Sequence, residues 1–258
     1  MKLGNGPPTC GSVMGMTLMK TKHCIGGGAL TFACLVALNL VSAQTNRIWN
    51  SSISSDWSNA TNWTPVGVPA SNDTINFSKG TINFTGPVTI NGQFNWSGGT
   101  LSGNPLTIAS NGVMNVSGSG SKMLANVLTN AGTVNWVPSG GTFYVQNNNA
   151  NVRGAIYNLA GALWDLQTDQ NISCYYCGAA ELFNNAGTLR KSGGTGTTTF
   201  LVGFYNSGVV SVLAGTLSLG GGGTVEGTFN LIWSHRLQVD GSQGKFLVSE
   251  IEELITCV

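Results

Sequence analysis

The sequence predicts an all-β protein, a parallel β-helix (β-solenoid) whose stacked coils run to about 20–29 residues. Three observations carry this: a composition suited to many turns, a five-residue word that recurs along the chain, and two columns that become apolar when its copies are aligned. Glycine supplies 37 of 258 residues and charged residues only 8%, while hydrophobic residues reach 41%. That balance is too apolar for a disordered polar tract and far poorer in charge than an average domain. Asn, Ser and Thr supply most of the polar surface, which suits the outward faces of strands.

The recurring word is Asn-Ala-Gly-Thr-Val at 130–134, Asn-Ala-Gly-Thr-Leu at 185–189 and Asn-Ser-Gly-Val-Val at 206–210. Self-similarity of this kind is the signature of a repeat architecture. Alignment on the glycine selects Gly92, Gly112, Gly132, Gly161, Gly187 and Gly208, spaced by 20, 20, 29, 26 and 21 residues. Four positions earlier stand Val88, Ile108, Leu128, Tyr157, Phe183 and Phe204. Two positions later stand Phe94, Met114, Val134, Leu163, Leu189 and Val210. The next column, Asn95, Asn115, Asn135, Trp164, Arg190 and Ser211, is mostly polar, which is the in/out alternation of a strand. The glycine is therefore expected at a corner that precedes a strand, where a sharp turn commonly demands positive φ. A second motif, Gly-Gly-Thr-Leu at 98–101, Gly-Gly-Thr-Phe at 140–143 and Ala-Gly-Thr-Leu at 214–217, marks another corner, so each coil has at least two sides.

Four positions after the glycine the column reads Trp96, Val116, Trp136, Asp165, Lys191 and Val212. Stacking in this alignment puts Asp165 beside Lys191. The two are expected to form a compensating ion pair, and a catalytic role is the competing reading.

The domain organisation follows: residues 1–18 an upstream extension, 19–43 a signal peptide, 44–77 a Trp-rich N-terminal cap, 78–231 the solenoid repeats, and 232–258 an atypical or truncated tail. In the leader, Lys20 and Lys22 form the charged region, 25–40 the apolar run and Val41-Ser42-Ala43 a small-residue cleavage site. Translation starts at Met1 or Met19. The apolar run is short for a bilayer and interrupted by Gly26-Gly27-Gly28, so the mature chain is expected to carry no membrane span. From Gln44 onward eight basic and ten acidic residues leave a net charge of −2, with no basic stripe to neutralise phosphates, which argues against nucleic acid as a partner. Three of six cysteines lie beyond the cleavage site, and in an oxidising compartment Cys174 and Cys177 are expected to close a small disulfide loop.

Ahead of the repeats, Trp49, Asp56-Trp57, Asn62-Trp63, Pro65, Pro69 and Asp73 form a dense pattern, followed by Ile75 and Phe77. Together with the repeats, over roughly residues 46–230, this resembles secreted bacterial β-helical repeat proteins of the autotransporter-passenger-like and PEP-sorting-tail kinds. The resemblance implies a cap over the first coil's strand edges, with the tryptophans packed in a core; a sugar-stacking platform is the alternative. It also implies a location outside the cell or on a bacterial surface or outer membrane. The tail departs from it. After residue 231 the glycine pattern stops and charge rises, so a truncated end, a frame change or a short capping helix over 248–255 is expected.

Only His23 and His235 occur, so neither a Ser-His-Asp site nor a histidine metal cluster lies within the repeats. Gly193 to Thr197 lacks the Gly-Lys-Ser/Thr ending of a phosphate loop, and 165–171 lacks the spacing of a helix-loop-helix calcium site. The best catalytic constellation is Asp165, Asp169, Arg190 and Lys191, where paired carboxylates and cations could serve a polysaccharide lyase or hydrolase. Tyr175 and Tyr176, between the two cysteines, are the candidate binding residues. The leading expectation is a structural or adhesive surface protein without catalysis or cofactor, whose partner is an extracellular polysaccharide or another surface protein. A carbohydrate-active β-helix and a non-catalytic carbohydrate-binding module are the alternatives.

Overall fold

The computed structural model describes residues 43–50, 54–138, 140–149, 152–177, 180–232, 235–239, 246–248 and 252–253. The upstream extension, the leader up to residue 42 and Cys257 lie outside them. The chain winds as a parallel β-solenoid with three sides. The first face is an 11-stranded sheet and the other two are 8-stranded. One coil shows the path: Gln93–Trp96 on the first face, Gly99–Gly103 on the second, Leu106–Ile108 on the third, then Val113–Val116 back on the first. Each strand pairs in parallel with its equivalent one coil away, about 4.8 Å distant, so like residues stack in ladders. Seven complete coils separate Thr74 from Thr228, with lengths of 19, 20, 20, 30, 25, 21 and 19 residues.

Alternation along these strands builds the core. Gln93–Trp96, Val113–Val116, Thr133–Trp136 and Val209–Val212 bury their second and fourth residues and leave the first and third partly exposed. Aromatic rings fill the wide interior: Phe143 lies 5.2 Å from Trp96, 5.7 Å from Trp136 and 6.2 Å from Trp164 between ring centroids.

The pairing register corrects the sequence alignment in two coils. On the first face Val134 pairs with Trp164, and Trp164 with Leu189, so Trp164 occupies the inward column expected for Leu163. Asp165 moves accordingly from the inward ladder to the outward column, between Asn135 and Arg190. On the third face the column of Leu128 contains Leu106 and Ile156 in place of Ile108 and Tyr157; Ile108 points inward in the neighbouring column, with Ile90 and Asn130, and Tyr157 faces solvent. The cause is corner length. Two residues separate Ile90 from Gln93 and Asn130 from Thr133, whereas four separate Ile108 from Val113 and Asn158 from Leu163. A glycine alignment cannot register those two extra residues.

The repeated glycine also works differently from expectation. At Gly132 a Cβ would lie 2.2 Å from the Ala109 carbonyl oxygen, and at Gly187 2.3 Å from that of Leu159, with φ ordinary at both. The backbone of the coil below occupies the side-chain position. Positive φ occurs in the second motif, at Gly99, Gly141 and Gly215, and among the six aligned glycines at Gly161. The asparagine of the repeated word points inward and builds a buried ladder. Asn130 Nδ2 donates to Asn158 Oδ1 at 2.8 Å, Asn158 to Asn185 at 2.7 Å, and Asn185 to Asn206 at 2.6 Å. Asn130, Asn158 and Asn185 each also donate to a backbone carbonyl on the first-face strand of the next coil, Leu163, Thr188 and Val209 respectively. A buried amide needs such partners to offset its desolvation.

At the N-terminal end, Asn46–Trp49 extends the first face in parallel with Thr74–Phe77, and Trp63–Thr64 pairs antiparallel outside it. Trp49, Trp57 and Trp63 are buried, stacked edge-to-face with Trp63 in the middle, and packed on Phe77 and Phe84. They are core residues, not a platform. The polar members of the pattern serve the backbone: Asn62 Nδ2 donates to Asp56 O at 2.7 Å, and the Asp73 carboxylate accepts from Thr45 N, Ala70 N and Arg47 Nε. Beyond residue 231 the described segments Arg236–Val239, Phe246–Val248 and Glu252–Glu253 pair as strands with the second, third and first faces. Of 248–255, where a capping helix was expected, residues 248, 252 and 253 are strand, and the others lie outside the described residues.

Candidate functional site

Strand alternation decides how the four charged candidates meet, because neighbouring residues on Leu163–Leu166 and Thr188–Lys191 point to opposite sides of the first face. Asp165 and Arg190 share the outward column. Arg190 Nε donates to Asp165 Oδ1 at 3.0 Å and Nη2 to Oδ2 at 2.9 Å, a two-pronged pair. Ser192 Oγ and Gln167 Nε2 donate to the same carboxylate at 2.7 and 3.0 Å. Burial pushes the Asp165 carboxyl upward, but these hydrogen bonds and the guanidinium charge outweigh it and hold the group below its usual range. Asp165 is thereby a saturated acceptor.

Lys191 points the other way, into the core, and is fully buried. Its Nζ reaches the corner between the first and second faces, donating to Asp169 Oδ1 and Gly193 O at 2.9 Å, Thr168 O at 3.1 Å and Thr198 Oγ1 at 3.2 Å. Asp169 also accepts from Gly196 N at 3.0 Å, which accounts for the glycine-rich 193–196 stretch as its cradle. Burial pulls the Asp169 carboxyl upward, but the Lys191 ammonium and the Gly196 amide hold it below its usual range. The expected Asp165–Lys191 pair is therefore replaced by two pairs, Asp165–Arg190 outside and Asp169–Lys191 reaching through the core. The four residues do not converge on one substrate position, and neither carboxylate offers a free oxygen pair to a metal. Among the described residues no group of three His, Cys, Asp or Glu side chains is placed to hold a metal ion.

The two long coils owe their length chiefly to excursions at the corner between the second and third faces. The first is an antiparallel hairpin, Asn147–Asn149 with Val152–Arg153. The second is the loop from residue 174 to 181, where Cys174 and Cys177 are joined by a disulfide and Cys177 adopts φ 54°. The excursions touch, since Asn147 Nδ2 donates to Ala180 O at 3.1 Å and Gln146 Nε2 to Tyr176 Oη at 3.4 Å. Tyr144, Tyr175 and Tyr176 form a chain of edge-to-face rings, with Tyr175 and Tyr176 about half exposed.

Two charged groups carry no motif signal. Lys122 is fully buried at the start of Lys122–Ala125, and its Nζ donates to Gly118 O at 2.6 Å and Gly140 O at 3.3 Å. Burial lowers its ammonium to about 8. Glu181, at the foot of the disulfide loop, is buried with neither carboxylate oxygen hydrogen-bonded. Among the described residues no helix is long and apolar enough to cross a membrane. Comparisons with protein-family models, curated proteins and solved structures find no match to this chain.

Proposed function

We propose that this chain is a secreted or cell-surface β-solenoid of structural or adhesive type, without catalytic activity, whose partner is an extracellular polysaccharide or another surface protein. The observation that carries the reading is the fate of the charged candidates: Asp165, Asp169, Arg190 and Lys191 form two separate structural pairs on opposite sides of one sheet. Its outward ladders support the same reading. Asn76, Asn95, Asn115 and Asn135 link side chain to side chain along the first face, a rigid surface of low charge. The stacked excursions at one corner present Tyr175 and Tyr176 as contact residues, since tyrosine offers apolar area at small entropic cost. The Trp-rich entry segment acts as the cap of the first coil, and the leader directs export.

Binding to glycan arrays and intact cells, measured alongside polysaccharide cleavage, tests this. The expected result is saturable binding without turnover, reduced at least about tenfold by Tyr175→Ser with Tyr176→Ser, the loss of an aromatic hot spot. Turnover that survives purification, or the absence of any partner, overturns it.

A further inference from the structure

The outward column of the third face carries Tyr157, Asn184, Tyr205 and Thr224 in successive coils. None of them is charged, and the outward column beside them, Ala155, Leu182 and Gly203, is uncharged as well. Tyr157 is 37% and Tyr205 41% exposed, with Asn184 partly exposed between them. Tyr157 pairs with Asn184 and Asn184 with Tyr205, so the two rings spring from backbones two strand spacings apart, about 9.6 Å. The Tyr205 ring reclines along its own strand: a Cβ placed on Gly203 would lie 3.2 Å from its Cε2 and 3.6 Å from its Oη. Glycine there leaves room for the ring to lie over the backbone, with its other side toward solvent. Beside it a cleft of about 250 Å³ is lined by Asn184, Tyr205, Asn206, Ser207, Thr224 and Glu226.

Singly, an exposed tyrosine suits any strand. Two in one column, with an amide between them and a polar cleft at one end, match the chemistry of a sugar chain. Sugar rings lay their C–H faces on aromatic rings, and their hydroxyls exchange hydrogen bonds with amide, hydroxyl and carboxylate groups. In an extended β-1,4-linked chain each sugar advances by close to one strand spacing, and every second sugar repeats the same facing. Laid along the solenoid axis, such a chain sets two like-facing sugars on Tyr157 and Tyr205, the sugar between them over Asn184, and the next beside Thr224 and Glu226. The charged group lining the cleft is the Glu226 carboxylate, which accepts from hydroxyls and repels anionic sugars. We propose that Tyr157, Asn184, Tyr205 and the Glu226 cleft form a binding strip for a linear, neutral, β-1,4-linked polysaccharide. The proposal rests on the reading of the chain as a non-catalytic surface binder, and gives it a second contact area apart from Tyr175 and Tyr176.

The test is calorimetric titration of the full chain carrying Tyr175→Ser and Tyr176→Ser, so that the loop contributes nothing and a failure here leaves the loop reading untouched. The probes are β-1,4-linked glucose and mannose oligomers from disaccharide to hexasaccharide, with the α-1,4-linked glucose series, whose chain curves away from a flat strip, as the control. The proposal expects at least one β-linked series to bind, with affinity rising at least about tenfold from disaccharide to tetrasaccharide as the chain comes to span both rings. The α-linked series binds at least about tenfold more weakly. Adding Tyr157→Ala with Tyr205→Ala abolishes binding, as loss of two aromatic anchors should. No binding by either β-linked series, equal affinity for disaccharide and tetrasaccharide, no preference over the α-linked series, or binding retained without the two rings overturns the proposal. Should the protein lacking both rings fail to fold, Tyr205→Ala alone decides: tetrasaccharide affinity weakened about tenfold supports the strip, and unchanged affinity overturns it.

Discussion

Replacing Lys122 with methionine isolates the cost of an unpaired ammonium in the core. Lys122 is fully buried, and its recorded partners are two glycine carbonyls with no carboxylate. Burial lowers its pKa from 10.5 to about 8. The unfolded chain therefore holds the proton up to the higher value and the folded chain releases it near the lower one. Between the two the unfolded state binds more protons, so stability rises with pH, and below about 8 the full penalty applies. At about 1.36 kcal/mol per pKa unit the penalty is about 3 kcal/mol, of which about 2.5 kcal/mol is relieved between pH 7 and pH 10. Methionine keeps an unbranched chain of similar length and titrates nowhere in this range. Urea unfolding of both proteins, followed through the core tryptophans, measures the difference, and every other titrating group cancels in it. The wild type should gain about 2.5 kcal/mol on Lys122→Met between pH 7 and pH 10 and nothing between pH 5 and pH 7. A difference constant to within about 0.5 kcal/mol over the whole range refutes the reasoning.

Asn158→Ala removes three ladder hydrogen bonds and orphans their buried partners, so it should cost about 3 kcal/mol, against under about 1 kcal/mol for Asn95→Ala on the outer ladder. Chemical denaturation distinguishes the two. Gly132→Ala drives a Cβ into the Ala109 carbonyl and should cost at least about 2 kcal/mol, whereas Gly161→Ala, with φ +83° but open space around it, should cost only about 1 kcal/mol. Acid titration reports the ion pairs. Both Asp165 and Asp169 have folded values below the ordinary range, so their stabilisation is complete above the unfolded pKa and is lost as pH falls through the folded values. Arg190→Leu should flatten part of that acid transition and cost about 2–3 kcal/mol at neutral pH by stranding the buried Asp165 carboxylate.

The solenoid and its period are legible in the sequence because stacking forces like residues into columns. Phe94, Met114 and Val134 betray the inward side of the first face without any coordinates. The third side of the coil and the slips at Leu106 and Trp164 are not legible, because the four-residue corners 109–112 and 159–162 also contain a glycine, which aligns with the glycine of the repeated word although the corner around it is longer. The reason for that glycine is also hidden. Close approach of the neighbouring backbone and positive φ both select glycine, and only the structure separates Gly132 from Gly141. The four charged candidates were identifiable, yet their partners depended on a one-residue register, which moves a side chain to the other face of the sheet. Lys122 and Glu181 sit in no motif, so burial alone distinguishes them from ordinary surface charges. The asparagines of the repeated word look like turn formers, and only stacking turns them into a ladder.

The register is the central claim, and double-mutant cycles on unfolding free energy test it most directly. Asp165→Asn combined with Arg190→Gln should show a coupling of about 1–3 kcal/mol, and Asp165→Asn combined with Lys191→Met less than about 0.5 kcal/mol. Strong coupling of Asp165 to Lys191, with none to Arg190, would put Asp165 back in the inward ladder and contradict the account.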